Sequence, residues 1–196
     1  MAIPFRFFSM VLMATVYSSA WGIGGDFTLT RDDGAAYHLS DSRGHAVVLS
    51  FGYTFCPDVC PTGLATISAA LTLLGDRVRQ VDAFFVSLDP ERDSPAKLRE
   101  YTGFFHERIH GLTGSAAELD AVAKRYQVSY RFVGKGESER YTLDHNANTF
   151  VVDRQGQLVR IVPYGMPTEA LADAVAIALA DPAPRSHHNT EAEPAQ

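Results

Sequence analysis

"AVVLSFGYTFCPDVCPTGLATISAALTLLGD", residues 46–76, reads as a strand, a loop and a helix in direct succession. The run 46–51 is short, apolar and rich in Val and Leu, the pattern of a strand buried on both faces. From 61 to 76, Leu64, Ile67, Leu71 and Leu74 recur at three- and four-residue intervals. Pro61 suits a first helical turn and Gly75 a C-terminal stop. A buried strand feeding a helix opens a parallel crossover, which places the chain in the α/β class. The loop between them holds both cysteines of the chain, Cys56 and Cys60.

Reading outward, "VDAFFVSLD" (81–89) is a second buried strand. "SPAKLREYTGFF" (94–105) is a helix with Ser94 as N-cap and Leu98, Tyr101 and Phe105 on one face. "SAAELDAVAKRYQV" (115–128) opens with Ser115 and Glu118 in capping-box spacing. "YRFV" and "RYTL" flank a polar segment and predict a surface hairpin. "NTFVVD" and "LVRIVPYG" predict an antiparallel pair around a Gly-containing turn, and 167–180 closes the chain as an amphipathic helix. The order β-α-β-α-α-β-β-α is the plan of the thioredoxin fold: a mixed central sheet flanked by helices, with an inserted hairpin. "DFTLT" (26–30) adds a strand at the N-terminal end. No linker or repeat divides 24–181, which reads as one domain.

Composition narrows the function. At 196 residues with net charge −6 and interspersed charges, the chain has no basic stripe and so no nucleic-acid surface. Two cysteines are too few for a disulfide-stapled scaffold. Residues 1–22 carry one charge, Arg6, then an apolar run and small residues. That is the composition of a signal peptide or N-terminal membrane anchor, and it predicts export. Residues 182–196 are polar and Pro-rich and read as a disordered tail; His187 and His188 within it read as solvated.

Three readings compete at the cysteines. A permanent disulfide would close so short a loop that little entropy is gained. A thiol exchanger usually has two residues between its cysteines, and here there are three. Two thiolates with an imidazole suit a soft metal such as Cu(I). Placed before a helix start, the sulfurs are expected to be exposed and at least one thiol more acidic than usual. The metal reading needs a histidine. His38, His45, His106 and His110 read as surface or capping residues. His145, in "LDHNANTFVVD", lies in the loop that opens a sheet strand and faces the cysteine loop on a thioredoxin plan. That loop has no proline where a thioredoxin-type oxidoreductase has its cis-proline. A peroxidase reading is weaker, since Thr54 stands two positions before Cys56 rather than three. In "DPERDSP" (89–95), Asp89, Glu91 and Asp93 alternate, but nothing completes a calcium loop. A strand-to-helix turn capped by Ser94 is the better reading, with a carboxylate docking surface as the alternative.

The motifs "FGYTFCPDVCPTGL", "FVSLDPERDSPAKLREY", "GLTGS" and "LDHNANTFVVDRQGQL" together resemble those of the Sco/SenC family of copper-binding assembly factors for cytochrome c oxidase. The resemblance spans roughly residues 24 to 180. It implies an exported, membrane-associated protein on the periplasmic side of the inner membrane, anchored or soluble after cleavage, touching the membrane only through its N-terminal segment. It implies one copper ion per chain, Cu(I) favoured over Cu(II), held by Cys56, Cys60 and His145. The implied role is delivery of copper to the dinuclear copper centre (CuA) of oxidase subunit II. The alternative is thiol–disulfide exchange through Cys56 and Cys60 on the oxidase's cysteines, alongside other copper-handling or thiol-reducing proteins. Two departures stand out. Phe55 occupies a place where the family often has His or Tyr, and Asn146 follows His145 where Ser is more usual.

Overall fold

A computed structural model describes residues 22–136 and 140–180. Apart from Gly22, the apolar segment 1–22 falls outside the described residues, as does the tail 182–196. Nine strands and four helices follow one another among the described residues. They are β1 (Thr28–Arg31), β2 (Ala36–His38), β3 (Ala46–Gly52), α1 (Val59–Leu73), β4 (Val81–Ser87), α2 (Pro95–Gly103), β5 (Ile109–Thr113), α3 (Ala116–Arg125), β6 (Tyr130–Val133), β7 (Thr142–His145), β8 (Thr149–Val152), β9 (Leu158–Val162) and α4 (Thr168–Leu179). Seven strands form one mixed sheet in the order β2-β1-β5-β4-β3-β8-β9, and β6 and β7 pair as a separate hairpin.

The apolar runs behave as their patterns dictate. β3 and β4 are buried along almost their whole length and pair in parallel at the centre of the sheet. Such strands are covered on both faces, so they need no polar alternation. Leu64, Ile67 and Leu71 of α1 face the core, where α1 packs on α4 and β3. Ser115 and Glu118 form the expected reciprocal cap of α3. Phe51, Tyr126 and Phe150 meet edge-on or tilted, tying β3, the end of α3 and β8 together.

Two readings are corrected. First, a strand, β5, separates the two helices expected in succession, and it pairs in parallel with β4. Its sequence, "IHGLT", carries a glycine where strands prefer bulk. The glycine is required because a Cβ at Gly111 would stand 2.4 Å from Leu98 Cβ of the helix lying across it. Second, α1 begins at Val59 rather than Pro61, so Cys60 sits inside its first turn. Pro61 is tolerated there because the N–H it lacks would have had no helical partner.

The edge strands are latched by Asp32, which is 4 % exposed. Its carboxylate accepts the Gly111 N–H at 2.9 Å and faces His110 Nδ1 at 3.6 Å. Arg99 donates to its carbonyl at 2.5 Å. Burial alone would raise the Asp32 pKa, but His110, the Gly111 amide and Arg99 together hold it below its ordinary 3.8. The unfolded chain therefore takes up this proton first. The stabilisation is complete above pH 3.8 and is lost as pH falls further, through the folded-state value. Asp32→Ala is expected to cost about 1–3 kcal/mol at neutral pH. Urea unfolding at pH 7 and again near pH 3 checks this, since the gap from the parent should narrow in acid.

Candidate metal centre

Three elements meet above the end of β3. The loop leaving β3 carries Cys56, the first turn of α1 carries Cys60, and the end of the β6–β7 hairpin carries His145. His145 is the last residue of β7, with 146–148 as the loop beyond it, so the histidine is presented by a strand end rather than by the loop. One ligand atom from each residue falls in a group whose members all lie within 4.8 Å of one another. Cys60 Sγ stands 3.5 Å from His145 Nε2, and the Cys60 N–H points at Cys56 Sγ across 3.5 Å. The structure thus brings together all three sequence-predicted site residues, although Cys60 and His145 stand 85 positions apart in the chain and Cys56 lies further still.

The imidazole is held in the form a metal would need. His145 Nδ1 lies 3.1 Å from the Asn146 carbonyl. A carbonyl only accepts, so Nδ1 carries the proton and Nε2 presents its lone pair to Cys60. Asn146 acts through its backbone here. Its side chain instead accepts the Ser129 N–H and donates to the Gln127 carbonyl, each at 3.2 Å. Those bonds fix the chain before β6, where Gln127 takes a φ of +54°. Tyr53 is buried edge-on to the His145 ring at 6.4 Å and closes its inner side. Burial pulls the His145 pKa below its ordinary value, which keeps the ring neutral.

The cysteines differ from expectation. Cys60 is only 5 % exposed, and burial pushes its thiol pKa up rather than down. The free first-turn amide explains the difference: it serves the sulfur of Cys56, while Cys60 projects from the helix into apolar surroundings. For Cys60 to bind a metal its proton would have to leave, so ligation there would be coupled to deprotonation.

Sequence reading missed the brace beneath this loop. Asp93, 1 % exposed, accepts the Thr54 N–H at 2.9 Å, the Thr54 hydroxyl at 2.5 Å and the Ser87 hydroxyl at 2.7 Å. Asp89 is fully buried, accepts the Tyr141 hydroxyl at 2.8 Å and pairs with Arg92 Nε. Arg92 lies 3.6 Å above the Tyr141 ring and 5.1 Å from that of Phe55, and it donates to the Tyr141 carbonyl at 2.9 Å. These two carboxylates are therefore internal struts and not a docking surface; Glu91 alone is exposed, paired with Lys135 at 2.8 Å. Ser94 caps α2 as expected, accepting the Lys97 N–H. The other histidines among the described residues keep local roles. His38 meets Thr28, His45 meets Asp82, and His106 accepts the Arg108 N–H. Phe55 projects at the rim, half exposed.

Residues 16–180 match the model of the SCO1/SenC family. The chain belongs to that family. It is 32% identical over 146 residues to an SCO2-like protein of Rickettsia felis, covering 74% of this chain and 71% of that one. It is 33% identical over 158 residues to the SenC protein of Rhodobacter capsulatus, covering 81% of this chain and 71% of the relative. Among solved structures, the copper-bound ScoI of Bradyrhizobium japonicum matches with a TM-score of 0.74 and 37% identity, covering 81% of this chain and all of that one. Copper-bound yeast Sco1 matches at 0.72 and 30%, covering 82% and 91%. The thioredoxin-like α/β architecture is thus shared with members of the family.

The donor set fits such a cargo. Two sulfurs and one imidazole nitrogen form a soft, low-coordinate set suited to Cu(I), and no carboxylate among the described residues joins the group. A shallow groove opens onto Cys60 and His145 between α1 and the turn carrying Tyr164 and Gly165.

Proposed function

We propose that this protein binds one copper ion, as Cu(I) in preference to Cu(II), through Cys56 Sγ, Cys60 Sγ and His145 Nε2. We infer further that it delivers this cargo to the dinuclear CuA centre of cytochrome c oxidase subunit II, from the periplasmic side of the inner membrane. The segment 1–22 either anchors it there or is cleaved on export. The observation that carries the reading is the convergence of the two sulfurs and one preset nitrogen within 4.8 Å. The copper held by relatives of 30–37% identity supports it.

The test is copper loading of the purified protein followed by X-ray absorption. One copper per chain with a shell of two sulfurs and one nitrogen is expected. A four-sulfur shell, or one of nitrogen and oxygen alone, overturns the assignment.

The proximity of the two sulfurs also supports thiol exchange as a second reading. Cys56 and Cys60 would give up two protons and two electrons to form their disulfide, while a client disulfide takes them up as two thiols. Metal and disulfide compete for the same sulfurs, so the two activities exclude one another at any moment. Turnover on a disulfide substrate that needs both cysteines and survives His145→Ala would favour this reading.

A further inference from the structure

Gly52 closes β3 directly beneath the first turn of α1. Its backbone does not call for glycine. It is absent from the positive-φ residues, it pairs with Ser87 in the central ladder, and its carbonyl accepts the Leu88 N–H at 2.7 Å. Glycine inside a central strand weakens that strand, so its presence asks for a reason. The reason is space. A Cβ at position 52 would stand 2.6 Å from Cys60 Sγ, 2.9 Å from Phe85 Cε2 and 3.0 Å from Phe85 Cζ, where ordinary contact is 3.4–4 Å.

We propose that Gly52 is a positioning residue for the metal centre: its missing side chain is the seat of the Cys60 sulfur. The inference rests on the copper reading above and deepens it. Phe85 is fully buried and its ring packs against Tyr101, so it yields little. The strand is held by the β4 ladder at Gly52 itself and by the β8 ladder as far as Ser50. The softest element facing position 52 is therefore the Cys60 side chain, which relieves the clash by jumping to another staggered rotamer. That jump takes Sγ off the seat, away from His145 Nε2 and out of register with Cys56. A methyl group of no chemical reactivity thereby dismantles a site whose three ligands are all still present.

The test is Gly52→Ala, with Gly111→Ala as the comparison. Gly111 is a strand glycine whose three nearest crowding atoms all belong to Leu98, so its substitution strains the core away from the three proposed ligands. In the metal-free folded protein, iodoacetamide labelling resolved by peptide mass is expected to change several-fold at Cys60 in Gly52→Ala. The labelling should stay at the parent rate at Cys60 in Gly111→Ala. Copper affinity of Gly52→Ala should fall about 10–100-fold, the loss typical when a ligand's support is removed.

If Gly52→Ala does not fold, the double variant with Phe85→Leu removes the aromatic half of the crowding and leaves the sulfur half. A folded double variant with the site still impaired supports the proposal. Parent-like Cys60 labelling and copper affinity, in either variant, overturn it, because the glycine then serves only Phe85. Failure of the parent protein to bind copper would defeat the copper reading instead, and the labelling comparison would still decide the seat.

Discussion

Replacing His145 with alanine is expected to weaken copper binding by more than about 100-fold, beyond the 10–100-fold that loss of an outer-shell partner costs. In free energy, 100-fold is about 2.7 kcal/mol. The expectation comes from the proposed ligand count. With Nε2 removed, two sulfurs remain, and the position 3.5 Å from Cys60 Sγ faces the open groove. No other His, Cys, Asp or Glu among the described residues joins the cluster, so nothing nearby substitutes. The fold should tolerate the change, because the imidazole makes only one backbone hydrogen bond, one contact with Cys60 Sγ and one edge-on aromatic contact among those described. A chelator competition titration under reducing conditions measures the loss, with thermal unfolding of the metal-free variant as control. Unchanged affinity would remove His145 from the site.

His145 was legible in the sequence because the thioredoxin plan places two loops at one sheet end, and a histidine in the second faces cysteines in the first. Topology alone brings the two segments together, so His145 faces the cysteines although it ends β7 rather than lying in the loop beyond it. The acidity expected of a thiol at a helix start is reversed at Cys60, where burial raises the pKa. Which sulfur meets the first free amide depends on where that amide points. Here the Cys60 N–H points at Cys56. Pattern alone could not show that Cys60 turns inward. The strand β5 was hidden for a related reason: Gly111 weakens the strand signal, and the Leu98 side chain that demands it lies thirteen positions earlier in a separate helix.

Asp93→Ala is the second large effect expected, about 3–5 kcal/mol off the stability of the metal-free protein. "DPERDSP" has the composition of a solvated turn, and nothing local marks Asp93 as buried. Its burial is stable because three donors converge on it from two other segments: the amide and hydroxyl of Thr54, and the hydroxyl of Ser87. Bonds to a charged acceptor are each worth about 1.5–3 kcal/mol, and stranding a buried donor costs about 1–3 kcal/mol. Alanine leaves the Thr54 amide without its acceptor, while the two hydroxyls turn in search of others. Asp93→Asn should cost less, about 1–2 kcal/mol. Its carbonyl keeps the Thr54 amide and Ser87 on one side, and its NH₂ donates to a Thr54 hydroxyl that rotates to accept. Guanidinium unfolding of the three proteins should therefore rank parent, Asn, Ala; equal losses for Asn and Ala would mean that charge rather than acceptor geometry holds the loop. Copper affinity should follow the same ranking, because Thr54 is two residues from Cys56 and the carboxylate that anchors it keeps that sulfur in reach of Cys60 and His145.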